Sequence, residues 1–145
     1  MEGYTGTTEL LLEVSAGAGN IMGDTFEELA KIIKMCGYDL GVCLDTAHIF
    51  ASGYDIRTAE AMGKTLGAIA DTVGKEAIKL VHANDSKINL GERRDRHEHI
   101  GYGKIGESGF INMISNFPGI DLICETQPDL VEKDIAKLKE IRDNG

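Results

Sequence analysis

The 145 residues predict an α/β chain built from four consecutive βα units with a parallel sheet. Two observations carry this. The hydrophobic pattern changes four times from a strand-like run to a helix-like stretch of 3.6 spacing. These changes follow one another without a linker, at the spacing that βαβ units and a parallel sheet require.

The first strand is expected over Leu10-Leu11-Leu12-Glu13-Val14, followed by the loop Ser15-Ala16-Gly17-Ala18-Gly19. A helix then opens at Asp24-Thr25-Phe26, with Thr25 and Glu28 spaced as a capping box. Its apolar positions are Phe26, Leu29, Ile32, Ile33 and Cys36, and Gly37 is placed to stop it. The second strand reads Leu40-Gly41-Val42-Cys43-Leu44-Asp45. It is followed by a helix from Thr58 to Val73 with Met62, Leu66, Ile69 and Val73 on one face, closed by Gly74. The third strand is Ile78-Lys79-Leu80-Val81-His82. A polar stretch from Ala83 to Ile105 comes next, then a short helix from Ser108 to Asn116. The fourth strand covers Ile120 to Glu125. The last helix covers Leu130 to Ile141, with Leu130, Ile135, Leu138 and Ile141 on its apolar side. The polar stretch is far longer than the 2–6 residues usual for a βα loop, which marks it as a functional loop.

Composition narrows the classes. A chain 27% charged with 18 glycines is neither a coiled coil, a collagen-like repeat nor a low-complexity segment. It has no apolar run of about 18 residues, so no membrane span is expected, and the polar start after Met1 suggests no signal peptide. Cys36, Cys43 and Cys124 are odd in number and form no CxxC pair. Neither a disulfide framework nor a thiolate zinc site is therefore expected, and a reducing, cytoplasmic setting follows. A complete eight-unit β/α barrel takes about 250 residues, so this length excludes one. The net charge of −9 argues against a generally basic nucleic-acid-coating surface.

The chemistry collects where the strands end. The four apolar runs end at Glu13, Asp45, His82 and Glu125, all metal-ligand types. In parallel α/β folds the carboxyl ends of the strands face one common surface, where active sites are built. One such carboxylate is an ordinary helix cap. Four in succession would each need separate local compensation for burial, whereas one shared cation satisfies them together. His48 follows Asp45 by three residues, and Asp95 and His97 stand two apart in the long loop, where an extended backbone would turn them to one side. Histidines and carboxylates without thiolates favour zinc, manganese or iron(II) over calcium.

Several motifs then carry a resemblance. Leu12-Glu13 with Ala16-Gly17-Ala18-Gly19, Gly41-Val42-Cys43-Leu44-Asp45-Thr46-Ala47-His48, and His82-Ala83-Asn84-Asp85-Ser86-Lys87 are similar to the endonuclease IV family of apurinic/apyrimidinic endonucleases. So are Asp95-Arg96-His97 with Ile100-Gly101-Tyr102-Gly103, and Glu125-Thr126. The resemblance runs through nearly the whole chain. It implies four βα units equivalent to the C-terminal half (units 5–8) of a TIM-type (β/α)₈ barrel, so that residues 1–145 are a partial barrel domain without its N-terminal half. It further implies a base-excision-repair enzyme that holds up to three zinc ions, manganese being an alternative, and cleaves double-stranded DNA 5′ to an abasic site.

Carried onto this chain, Glu13 resembles the carboxylate that bridges two of the ions. Asp45, His82 and Glu125 resemble ligands of one of that pair, and His48, Asp95 and His97 the holders of the third. The chemistry implied is metal-assisted phosphodiester hydrolysis, with Glu125 orienting the attacking water and Glu13 the second catalytic carboxylate. Arg93, Arg96 and Lys87 would contact backbone phosphates. Two histidines that the family supplies from its earlier strands have no counterpart here, so this chain alone is expected to be weak or inactive. Its open sheet edges are expected to drive self-association. Three divalent ions would bring the formal charge from −9 to about −3. Two other readings remain: a divalent-metal sugar isomerase or epimerase on a related barrel, which needs only the quartet Glu13, Asp45, His82 and Glu125, and a non-catalytic metal-binding half-barrel.

Overall fold

The computed structural model describes residues 6–144. In chain order its elements are β1 (Leu11–Glu13), α1 (Phe26–Cys36), β2 (Gly41–Asp45), α2 (Thr46–Ser52), α3 (Ala59–Ala70), a 3-10 turn (Lys75–Ala77), β3 (Ile78–His82), β4 (Asp85–Ser86), β5 (His97–Glu98), α4 (Gly106–Asn116), β6 (Asp121–Ile123) and α5 (Val131–Asn144). The main sheet has the order β1-β2-β3-β6, and every neighbouring pair is parallel. The expected α/β architecture of four parallel strands, each followed by a helix, is therefore what forms.

The register brings the strand ends level: Glu13 lies opposite Cys43, Asp45 opposite His82, and His82 opposite Ile123. Alternation along each strand then divides the sheet. Val42, Leu44 and Val81 join Phe26, Leu29, Met62 and Phe110 in the helix-side core. Residues of the other parity, including Asp45 and His82, point to the opposite face. β2 is buried along its whole length, whereas β1 and β6 form the sheet edges among the described residues.

Several boundaries differ from the sequence reading. β1 and β6 are three residues long because only those residues find ladder partners, so Glu125 lies past its strand on a loop. The helix expected to reach Val73 stops at Ala70. There Thr72 turns its hydroxyl back to the Ala68 carbonyl, and Gly74, at φ 82°, donates its N–H to the Ile69 carbonyl. Ile135, expected on the apolar side of the last helix, is exposed beside the β6 edge. The capping box is half-formed: the Thr25 hydroxyl accepts from the Glu28 N–H, but the Glu28 carboxylate accepts from Gly23. Helix α2 and the β4–β5 ribbon were not anticipated. Cys43 is buried, Cys124 half-buried and Cys36 exposed, all as free thiols. Among the described residues no helix is long and apolar enough to cross a membrane.

A surface contact gives an acid-stability prediction. Arg57 donates from Nε and Nη2 to the Asp55 carboxylate at 2.9 and 2.8 Å, and its guanidinium sits 5.1 Å from the Phe50 ring centre. The Arg57 hydrogen bond holds the Asp55 carboxyl below the usual range. A depressed folded pKa stabilises above the unfolded value, about 3.9 for Asp, and that contribution disappears as pH falls through the folded value. Asp55→Asn is therefore expected to flatten the acid limb of stability below about pH 4 and to cost under about 1 kcal/mol at neutral pH. Thermal midpoints across that range check it; an unchanged slope would refute it.

Candidate metal centre

The site is assembled at the carboxyl ends of the strands. Asp45 ends β2 and caps α2, its Oδ1 accepting the His48 N–H at 2.9 Å. This cap starts a short helix immediately after the strand and turns His48 back over the end of the sheet. The His48 ring is oriented by its Nδ1–H, which donates to the Val14 carbonyl at 2.9 Å and also faces Glu13 Oε1 at 3.2 Å.

Among the described residues, two groups of side chains could each hold a metal ion. In one, ligand atoms of Glu13, Asp45, His82 and Glu125 all lie within 4.8 Å of one another. His82 Nδ1 stands 3.2 Å from Glu13 Oε1, 3.1 Å from Glu125 Oε2 and 4.0 Å from Asp45 Oδ2. In the other, Asp45, His48 and His97 meet the same limit. Asp95 reaches this second group, with Oδ2 at 3.3 Å from His48 Nε2 and Oδ1 at 3.1 Å from His97 Nε2. Asp45 belongs to both groups, since its Oδ2 is also 3.5 Å from His97 Nε2. The resemblance had suggested Asp45 for the first group alone.

The donor set suits a divalent cation. Among the described residues His48 Nε2 and His97 Nε2 are buried and make no hydrogen bond, although both face the Asp95 carboxylate. A ring whose other nitrogen donates to a carbonyl, as His48 does to Val14, presents its lone pair as metal-binding imidazoles do. Three carboxylates converge on His82, an arrangement whose repulsion a cation relieves. The same field is visible in the acidities. The His48 hydrogen bond, opposed by burial, leaves the Glu13 carboxyl below its usual range. Burial pushes Asp45 up, against the pull of His48 and His97. Burial works against a charged His48, yet its bond to Glu13 and the Asp45 charge bring it up to about 9, so a cation taken up at Nε2 would displace a proton. The Cys43 thiol, buried and beside Glu13, is pushed up to about 12 and stays protonated at neutral pH, in keeping with a site free of thiolates.

Sequence reasoning assigned no role to two residues that organise this centre. Asn84, fully buried, donates from Nδ2 to Asp45 Oδ2 at 2.6 Å and lies 3.4 Å from Glu125 Oε2, while its Oδ1 accepts the Glu125 N–H at 2.8 Å. It thus ties the two carboxylates together across the sheet, and Thr46 donates its hydroxyl to the Asn84 carbonyl. Asp85 turns a buried carboxylate into the long loop, accepting N–H groups of Ser86, Gly101, Gly103, Ile105 and Gly106. The available signal was a pair of hydrogen-bonding side chains, Asn84 and Asp85, directly after an apolar strand, where burial demands partners.

The basic residues are arranged unequally. Lys87 and Arg96 are exposed and joined by a Lys87 N–H to Arg96 carbonyl bond, and the Arg96 guanidinium donates to the Asp95 carbonyl. Arg93 adopts φ 54° and pairs with the buried Asp24 at 3.2 Å. A phosphate at Arg93 would compete with that carboxylate.

The fold has counterparts among known proteins. Residues 5–141 match the family model described as "Xylose isomerase-like TIM barrel". The chain is 44% identical over 143 residues to a protein of Aquifex aeolicus (strain VF5) named "Probable endonuclease 4", covering 95% of this chain and 51% of that one. It is 47% identical over 121 residues to the "Apurinic-apyrimidinic endonuclease" of Caenorhabditis elegans, covering 81% and 31%. Among solved structures, endonuclease IV from Thermus thermophilus superposes with a TM-score of 0.77 at 38% identity, covering 92% of this chain and 48% of that one. The chain spans about half the length of the endonuclease 4 relatives it matches.

Proposed function

The chain belongs to the xylose isomerase-like TIM barrel family, and from that membership we propose that it carries the metal-binding half of a zinc-dependent endonuclease acting 5′ to abasic sites in double-stranded DNA. In this reading residues 1–145 are a partial barrel domain equivalent to units 5–8, working in the cytoplasm in base excision repair. The open edges of β1 and β6 seek further strands, including those of a second copy, and the chain alone is weak or inactive. The observation that carries the reading is the second group of ligands: the buried nitrogens of His48 and His97, which make no hydrogen bond among the described residues and face Asp95 and the shared Asp45. A one-metal sugar isomerase has use for the quartet Glu13, Asp45, His82 and Glu125 but gives this second group no task.

Divalent ions in the two groups, zinc by donor chemistry with manganese as the alternative, would polarise a phosphodiester and offset charge on the leaving oxygen. The chain's residues do the rest. Asn84 keeps Asp45 and Glu125 at fixed separation, so the carboxylates need not reorganise when charge develops. The Glu125 and Glu13 side chains remain partly open to solvent, 44% and 39% exposed, as groups that meet a water and a substrate must be. Glu125 orients the water for attack on phosphorus, and Glu13 completes the carboxylate pair. Arg96 and Lys87 contact flanking phosphates, and Arg93 joins them if it leaves Asp24.

Zinc stoichiometry, paired with incision of an abasic-site duplex, tests this. At least two zinc ions per chain are expected, along with an unfolding midpoint that rises with free zinc: about 2.7 kcal/mol at a hundredfold excess over Kd. Incision is expected from the chain extended to the length of its relatives and is expected to be lost on chelation. Ketose isomerisation without incision would favour the isomerase. Zinc binding with no incision in the extended protein would favour the non-catalytic reading, and absence of any bound metal would overturn all three.

A further inference from the structure

We propose that Asp134, on the first turn of α5, is a positioning residue that holds the two ligand groups in register. The inference rests on the metal-binding reading above. Asp134 is 2% exposed and its carboxylate gathers three donors from two separate segments. Oδ2 accepts His99 Nδ1–H at 2.7 Å and the Thr126 hydroxyl at 2.5 Å, and Oδ1 accepts the Ile100 N–H at 2.9 Å. Its own N–H donates to the Leu130 carbonyl, so the carboxylate is mounted on a formed helical turn.

The two segments it joins are those that carry ligands away from the regular strands. Thr126 directly follows Glu125, whose N–H is held by Asn84; Asp134 therefore fixes the other side of that ligand's backbone. His99 and Ile100 follow His97 by two and three residues, at the point where the β5 segment leaves its ribbon. The His99 ring is nearly buried, and its Nε2 faces Asp129 at 3.4 Å, so it serves as a spacer between the loop and α5 and faces neither ligand group. Neither Glu125 nor His97 has sheet pairing beyond a residue or two. A rigid carboxylate that bonds the residue after one and the residues after the other sets the distance between them. An amide cannot replace it, because its single accepting oxygen cannot serve three donors placed on both sides.

Cobalt(II) titration of the full chain, read by visible absorption, tests the inference without any activity measurement. Asp134→Asn is expected to stay folded by circular dichroism, to weaken cobalt affinity about tenfold or more, and to change the visible spectrum, the range seen when supporting partners of metal ligands are lost. Asp134→Glu, which restores a carboxylate, is expected to recover most of the affinity. Thr126→Val removes one hydrogen bond beside Glu125 and is expected to alter the spectrum on its own, which carries the test if Asp134→Asn does not fold. Parent-like affinity and spectrum in the folded Asp134→Asn chain, or in Thr126→Val, would overturn the positioning role and leave the proposed function standing. A parent chain that takes up no cobalt would overturn the metal-binding reading and this inference with it.

Discussion

Replacing Asp45 by Asn is expected to lower divalent-metal affinity by at least about 100-fold while the chain remains folded. Loss of a partner behind a ligand already costs about 10–100-fold, and Asp45 is common to both ligand groups. The fold should survive, because asparagine caps helices as well as aspartate does, and its oxygen can still accept the His48 N–H. What it cannot do is accept from Asn84 Nδ2 with its own amide nitrogen, which sets the stability cost at about 1–2 kcal/mol. Calorimetric zinc titration beside a urea melt separates the effects. Zinc binding within a few-fold of the parent would mean that Asp45 is only a helix cap. Loss of one ion with full retention of the other would mean that the groups do not share it.

Asp85→Ala is expected to be the most damaging substitution for stability, at about 4 kcal/mol. Its carboxylate takes five backbone N–H groups at 2.7 to 3.2 Å, and truncation leaves those of a partly buried turn, the buried Ser86 and Ile105 among them, without that acceptor. Gly103 is bound to the same arrangement: a Cβ there would overlap Asp85 Oδ1 and the Ser86 carbonyl, so Gly103→Ala should approach the same penalty. Both are read from denaturant midpoints. A cost below about 1 kcal/mol for Asp85→Ala would show that water replaces the carboxylate at little expense. Because the 97–106 segment folds around Asp85, the variant should also lose ordered placement of His97, and with it the second ligand group.

Much of this protein was legible before any coordinates. Short apolar runs identified the strands, and 3.6 spacing with Thr25 and Gly37 identified the first helix and its ends, because local pattern and capping act within a few residues of chain; Gly74 misplaced the end of α3, which stops at Ala70. The metal-ligand types stood out because they follow apolar strands, where an unpaired charge is costly. Helix α2 escaped because its seven residues are buried on nearly every side and show no amphipathic stripe, although Asp45-Thr46-Ala47-His48 carried a capping signal.

Other features arise only when distant segments meet. That Asp45 serves two groups depends on His97, 52 positions away in sequence, arriving at 3.5 Å. The Asn84 bridge to Asp45 and Glu125 spans separations of 39 and 41 residues, and the His48 ring is set by Val14, 34 residues earlier. Arg93, which the resemblance made a phosphate contact, is drawn to Asp24 once two loops come together. Residue type and local spacing fix which groups can bind a cation, since these are properties of a short stretch of chain. Which of them share one ion, which are held still and which are already paired follow from strand register and loop closure, and those exist only in the assembled sheet.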